Sequence, residues 1–288
     1  MSASVEERPF TVQNTRGDAV DCDVRFLEDA PRGPVIVFCH GFKGFKDWGP
    51  FPVWGRRLAQ AGFVSVHVNF SHNGVHRDRP TEFTELEKFA ENTFTRELDD
   101  LAAVLDAVEE DRLPGVSVAT DRVGLMGHSR GGGTVILQTE RDDRVGALVT
   151  WSSVDTFVDR FSSDQIDDWE SKGYTEIVNS RTGQVMHLNK VLYDDTLAHR
   201  DELDVSGAAS RIDVPWLVVH ARDDESVDFG AAETLAGASD TAELVEARGG
   251  HTFGGAHPFD GTVPDTLDEV WGRTIQFFRA HLTPEDTD

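Results

Sequence analysis

Lysine is scarce in this chain: Lys43, Lys46, Lys88, Lys172 and Lys190 are the only five, set against 52 aspartates and glutamates. The resulting formal charge of −25 excludes ready binding to nucleic acid or to an anionic membrane, and no basic stripe offsets it. Cysteine is almost absent too. Cys22 and Cys39 make no disulfide framework and stand in no metal-like or CxxC spacing, so no metal is expected. Cys39 ends the apolar run 35–39, which reads as a buried thiol. No apolar run approaches the roughly 18 residues that would span a bilayer. The acidic, polar stretch 1–9 lacks a signal-peptide pattern, which makes the cytoplasm the expected location. Repeats and low-complexity tracts are missing as well, and only 283–288 reads as a loose tail.

What is present is a globular composition, with 39% apolar and 9% aromatic residues in 288, a length that suits one α/β domain. An abundance of carboxylates with little lysine points to a surface adapted to high salt, where screening weakens its self-repulsion. Along the chain, 10–14 and 20–27 read as two strands joined by a turn at 15–18. Strand and helix then alternate. Strands are expected at 34–39, 63–70, 123–126, 145–151, 214–220 and 242–247. Helices are expected at 51–61, through Phe94, Leu98, Leu101, Leu105 and Val108, at 134–139, and from about 266 to 281. This order predicts a mostly parallel central sheet flanked by helices. The acidic segment 155–211 interrupts it and is too long for a plain loop, so a helical cap inserted into the domain is expected there.

Gly127-His128-Ser129-Arg130-Gly131 matches G-x-S-x-G between an expected strand and an expected helix. A turn of that kind lifts a serine hydroxyl clear of the sheet edge, which makes Ser129 the candidate nucleophile. A serine needs a base, and the base should lie in a late loop. His251, in Gly249-Gly250-His251-Thr252-Phe253, takes that place, with His257, His220 and His40 as its rivals. The orienting acid should follow the preceding strand. Asp224, four residues after His220 and three before Val227, fits, with Asp223 as the alternative. The order Ser129, Asp224, His251 is that of an α/β-hydrolase fold. His40-Gly41-Phe42 follows the strand at 34–39, so the backbone N–H groups of Phe42 and Arg130 are the candidate oxyanion donors.

With those residues the chain resembles the α/β-hydrolase superfamily over nearly its whole length. Phe38-Cys39-His40-Gly41-Phe42-Lys43-Gly44, Gly127-His128-Ser129-Arg130-Gly131-Gly132 and His251-Thr252-Phe253-Gly254 are similar to dienelactone-hydrolase-like and cinnamoyl (feruloyl) esterase-like bacterial proteins. Ser129 stands where true dienelactone hydrolases carry cysteine. The resemblance implies a serine esterase acting on a small-molecule ester, with no cofactor and a helical insertion above the nucleophile. Phe157, Phe161, Trp169, Tyr174 and Tyr193 of that insertion are candidates for an apolar pocket. Ser180-Arg181-Thr182-Gly183-Gln184 is familiar from these esterases but has no chemical role in this reading. A peptidase or acyl-aminoacyl hydrolase is the second reading, and a non-catalytic binding protein on the same fold the third.

Overall fold

A computed structural model describes residues 4–28 and 32–283. The expected tail therefore lies, beyond Thr283, outside the described residues, as do the first three positions of the N-terminal stretch. The chain begins with an antiparallel pair, β1 (Val5–Gln13) and β2 (Ala19–Leu27), in register from Val5↔Leu27 to Gln13↔Ala19. Asn14 Oδ1 closes the turn by accepting the N–H groups of Arg16 and Asp18. β1 starts earlier than the sequence pattern suggests and runs through Pro9. A proline is tolerated there because β1 is the edge of the sheet and leaves one side of its ladder unused.

The alternating part follows: β3 (Gly33–Cys39), α1 (Phe51–Gln60), β4 (Val64–Asn69), α2 (Leu86–Ala90), α3 (Phe94–Glu109), β5 (Val118–His128), α4 (Arg130–Arg141) and β6 (Val145–Trp151). After the insertion, made of α5 (Ser163–Lys172), β7 (Tyr174–Val178), β8 (Val185–Asn189), α6 (Val191–Ala198) and α7 (Val205–Ala209), come β9 (Trp216–Ala221), α8 (Phe229–Ala238), β10 (Ala242–Ala247) and α9 (Asp265–Leu282). The main sheet has eight strands in the order β1-β2-β4-β3-β5-β6-β9-β10. β2 is antiparallel to both its neighbours, and the strands from β4 to β10 run parallel.

All seven residues of β3 are buried, as a strand covered on both faces requires. Its side chains alternate between two cores. Val35, Val37 and Cys39 join one with Leu101, Val104 and Ile136, and Ile36 and Phe38 join the other with Trp54, Trp151, Trp271 and Phe278. Both cysteines are free and buried, and burial pushes each thiol well above its ordinary pKa. Among the described residues, no helix is long and apolar enough to cross a membrane.

The winding reverses beside β3, because β4 lies on one side of it and β5 on the other. Such a reversal leaves a crevice at the carboxyl ends of the two strands, which is where open α/β sheets bind ligands. The insertion is helical only in part. Tyr174, Glu176 and Val178 alternate with Thr175 and Ile177, and β7 pairs antiparallel with β8 from Tyr174↔Asn189 to Val178↔Val185. Trp169 of α5 anchors this hairpin: its indole Nε1 donates to the carbonyl of Leu188 at 2.8 Å, and its ring stacks on Tyr193.

Candidate active site

Ser129 sits between the last residue of β5 and the first of α4, with φ +57° and ψ −121°. A left-handed backbone at a residue with a Cβ costs on the order of 1–3 kcal/mol and persists only where the surroundings enforce it. Here they do. The Ser129 N–H donates to Trp151 at 2.9 Å, and its carbonyl accepts from Gly132 at 2.9 Å. Close approach on the other side depends on glycine. A Cβ at Gly131 would lie 2.5 Å from the carbonyl oxygens of Cys39 and His40, and one at Gly41 would lie 2.8 Å from Ser129 Cβ. Gly41→Ala should therefore displace Ser129 and cut turnover roughly 100-fold, the scale of a misplacement of about 1 Å. Steady-state kinetics on a variant with a native circular dichroism spectrum checks this, and wild-type turnover in such a variant would contradict it.

His251 occupies a 3₁₀ turn, Gly250–Thr252, directly after β10. Gly249 and Gly250, at φ +95° and +66°, let the chain fold back there. His251 Nδ1 lies 2.8 Å from Asp224 Oδ2. Asp224 Oδ1 accepts the N–H groups of Ser226 and Val227 at 2.8 and 3.0 Å, and His220 Nε2 stands 3.3 Å from Oδ2. Burial alone would raise this carboxyl, but hydrogen bonds from His220, His251 and Val227 outweigh it and hold it far below the usual carboxylate range. An ionised Asp224 fixes the proton of His251 on Nδ1, which leaves Nε2 free to accept one. Asp223 does something else. It is exposed and accepts the Gly249 N–H at 3.1 Å, tying the loop rather than the imidazole.

Ser129, His251, His128, Gly41 and Phe42 line one cavity of about 390 Å³. The rivals of His251 are placed elsewhere or engaged. His257 Nδ1 accepts the Gly49 N–H at 2.9 Å while its ring stacks on Trp48. His40 is buried, with Nδ1 2.9 Å from the Gly41 carbonyl, and burial pushes it down to about 4. His220 is buried behind Asp224. Arg130 is the first residue of α4, so its N–H has no acceptor within the helix. Among the described residues, no group of three or more His, Cys, Asp or Glu converges as a metal site would.

Two parts of the site escape the sequence reading. His128, the variable position before the serine, has Nε2 2.9 Å from the His251 carbonyl. Burial pushes its imidazole down to about 3, so it is neutral and donates there as a fixed strut under the His251 loop. Its place inside G-x-S-x-G is the only signal in the sequence. The Arg130 guanidinium lies 4.3 Å over the Phe42 ring and 4.9 Å over the Phe94 ring, and pairs with buried Glu97 at 3.2 Å. Glu97 also accepts from Asn92 and Thr134. The side chains of the two candidate oxyanion-donor residues are thus stacked on one another.

Of the insertion's aromatics, Phe157 and Phe161 line a second cavity, of about 210 Å³, that also reaches Ser129. Trp169 and Tyr193 pack within the insertion, and Tyr174 stacks on His187.

The chain is similar to an uncharacterized 31.7 kDa protein of Escherichia coli from the traX-finO intergenic region, at 23% identity over 297 residues, covering 90% of this chain and 94% of that protein. Among solved structures it is similar to Est1E from Butyrivibrio proteoclasticus, determined with ferulic acid bound, at 18% identity and a TM-score of 0.70, covering 94% of this chain and 98% of that one. It is also similar to the acylaminoacyl peptidase of Pyrococcus horikoshii, at 19% identity and a TM-score of 0.66, covering 99% of this chain and 43% of that one. These likenesses show the α/β-hydrolase fold. Residues 24–173, more than half of the chain, match the dienelactone hydrolase family, and the protein belongs to that family.

Proposed function

We propose that the protein hydrolyses carboxylic esters through an acyl-enzyme on Ser129, with His251 as general base and Asp224 as the acid that orients it. The carrying observation is the Asp224–His251 pair on the cavity that also holds the strained Ser129. His251 takes the proton of Ser129 Oγ as the oxygen attacks the ester carbonyl, and returns it to the leaving alkoxide. The charge that develops on the carbonyl oxygen is assigned to the backbone N–H groups of Phe42 and Arg130. Water, activated in turn by His251, releases the acid.

Labelling with a fluorophosphonate tests the reading. The wild-type protein should lose one equivalent of activity per label on Ser129, and a folded protein that takes no label would be a binding protein instead. Neutral aryl butanoates should be turned over faster than aminoacyl-anilides of similar size. The reverse order would favour the peptidase reading.

We infer further that the surface is adapted to high salt. At a formal charge of −25, self-repulsion acts over a Debye length of about 30 Å in 0.01 M salt and about 3 Å at 1 M. The melting temperature should rise between dilute buffer and molar potassium chloride, and a flat or falling value would rule the adaptation out.

A further inference from the structure

Residues 180–184, without a role in the sequence, form the turn between β7 and β8, and the turn reaches the site. Asn179, Ser180 and Arg181 line the 390 Å³ cavity with Ser129 and His251. The turn is held on both sides: Asn179 Oδ1 accepts the Arg181 N–H at 3.1 Å, Gln184 Nε2 donates to the Phe83 carbonyl at 3.0 Å, and Arg181 Nη2 donates to the Thr81 carbonyl at 3.3 Å. Lys43 lines the same cavity from the loop after Phe42. Among the described residues neither Lys43 nor Arg181 has a carboxylate partner, and no Asp or Glu lines this lobe. Lys43 Nζ lies 5.8 Å over the Phe42 ring. In a chain with 52 acidic residues, two cations without a carboxylate partner on the cavity that holds Ser129 are a recognition feature rather than a surface average.

The second lobe, of about 210 Å³, has the opposite character. Phe94, Phe157, Phe161, Ile177, Leu188 and Leu192 line it. Of its two arginines, Arg130 is neutralised by Glu97 and Arg160 is exposed at the rim. An apolar cavity of ~150 Å³ holds benzene, so this lobe suits a short branched or phenyl-sized group.

The two lobes meet at Ser129, and His251 lines only the first. Because His251 must protonate the departing alkoxide, the alcohol half of an ester lies in the lobe that contains it. The acyl half then points into the apolar lobe, beside Arg130. We propose that the substrate is an open-chain ester whose acyl half is small and apolar and whose alcohol half carries an anionic group, a carboxylate or a phosphate, held by Lys43 and Arg181. This rests on the Ser129–Asp224–His251 reading. A bond forms between Ser129 Oγ and the carbonyl carbon, the carbon–alkoxide bond breaks, and the proton passes through His251 from Oγ to the alkoxide. The first product is an anionic alcohol. A small lactone, with both halves in one ring, leaves one lobe empty.

The test compares esters of para-substituted phenols at one ionic strength: 4-carbamoylphenyl, 4-carboxyphenyl and 4-phosphonophenyl butanoate, with 4-carbamoylphenyl hemisuccinate carrying the charge on the acyl side. At least one anionic-alcohol ester should exceed the neutral carbamoyl ester by about tenfold in kcat/KM, the scale of charge-assisted contacts at a partly exposed site. The better of the two identifies the anion as carboxylate or phosphonate. In Arg181→Gln with Lys43→Gln, the ratio of anionic to neutral ester should fall toward one. Ratios near one in the wild-type protein, an unchanged ratio in the double variant, or a preference for the hemisuccinate over the carbamoylphenyl butanoate would each overturn the proposal. Turnover of the carbamoyl ester with no anionic preference leaves the esterase reading standing. Turnover of none of the esters removes that reading, and this one with it.

Discussion

Replacing Ser129 with alanine should lower turnover by on the order of 10⁶-fold, and His251→Ala should do nearly the same. The two losses should not add. A nucleophile without its base and a base without its nucleophile are equally idle, so the double variant should fall no further than either single one. His257→Ala provides the contrast, because its Nδ1 is engaged by Gly49 and it should lose far less. A third substitution separates chemistry from stability. Ser129 holds φ +57°, a region that glycine enters without steric cost, so Ser129→Gly should be as inactive as the alanine variant yet melt higher. Pre-steady-state kinetics and calorimetry on the same preparations supply both readouts. Normal turnover by folded Ser129→Ala would end the nucleophile assignment, and a severe loss in His257→Ala would move the base.

The residues most legible in the sequence are those whose roles depend on local context and chain order. G-x-S-x-G is recognised by the strand before it and the helix after it, and both are there, as β5 and α4. The burial of β3 was readable from its unbroken apolar run. What stayed hidden depends on contacts between distant segments. Glu97 and Arg130 lie on different helices, and nothing in either local sequence marks one as the other's partner. The hairpin in the insertion was obscured for another reason. Each of its strands has only five residues, and Thr175, Ile177, Met186 and Leu188 turn inward while Glu176, Val178, Val185 and His187 between and beside them are exposed. Five residues give too few periods to separate alternation from an acidic helical segment. Its turn carries no local signal of a role, because Arg181 and Lys43, 138 positions apart in the chain, come to one cavity only in the folded protein.

Asp224→Asn should lower turnover by roughly 10⁴-fold, the scale set by a base held in the wrong tautomer. In the native site an ionised carboxylate accepts the Nδ1 proton of His251 at 2.8 Å. An asparagine amide turned toward the ring would donate instead, drive the proton to Nε2, and leave Ser129 facing a donor. Keeping its oxygen toward the ring would set the amide against the N–H groups of Ser226 and Val227, which Asp224 Oδ1 now accepts. The first arrangement loses the working tautomer, and the second loses two hydrogen bonds. Asp223→Asn should change turnover only a few-fold, because Asp223 contacts the Gly249 backbone and asparagine can still accept there. Equal losses in the two variants would mean that the acidity of the loop matters, and not one orienting contact. The pH dependence gives a second check. Hydrogen bonds hold the Asp224 carboxyl far below its ordinary value, so its contribution to stability is fully present above the unfolded-state pKa of about 4 and is lost only as pH falls through the depressed native value. The stability advantage of the wild-type protein over Asp224→Asn should therefore be constant from neutrality down to about pH 5 and shrink as pH falls below about 4, as read by calorimetry on both proteins across that range. An advantage that does not shrink in acid would show that Asp224 is not held ionised by its neighbours.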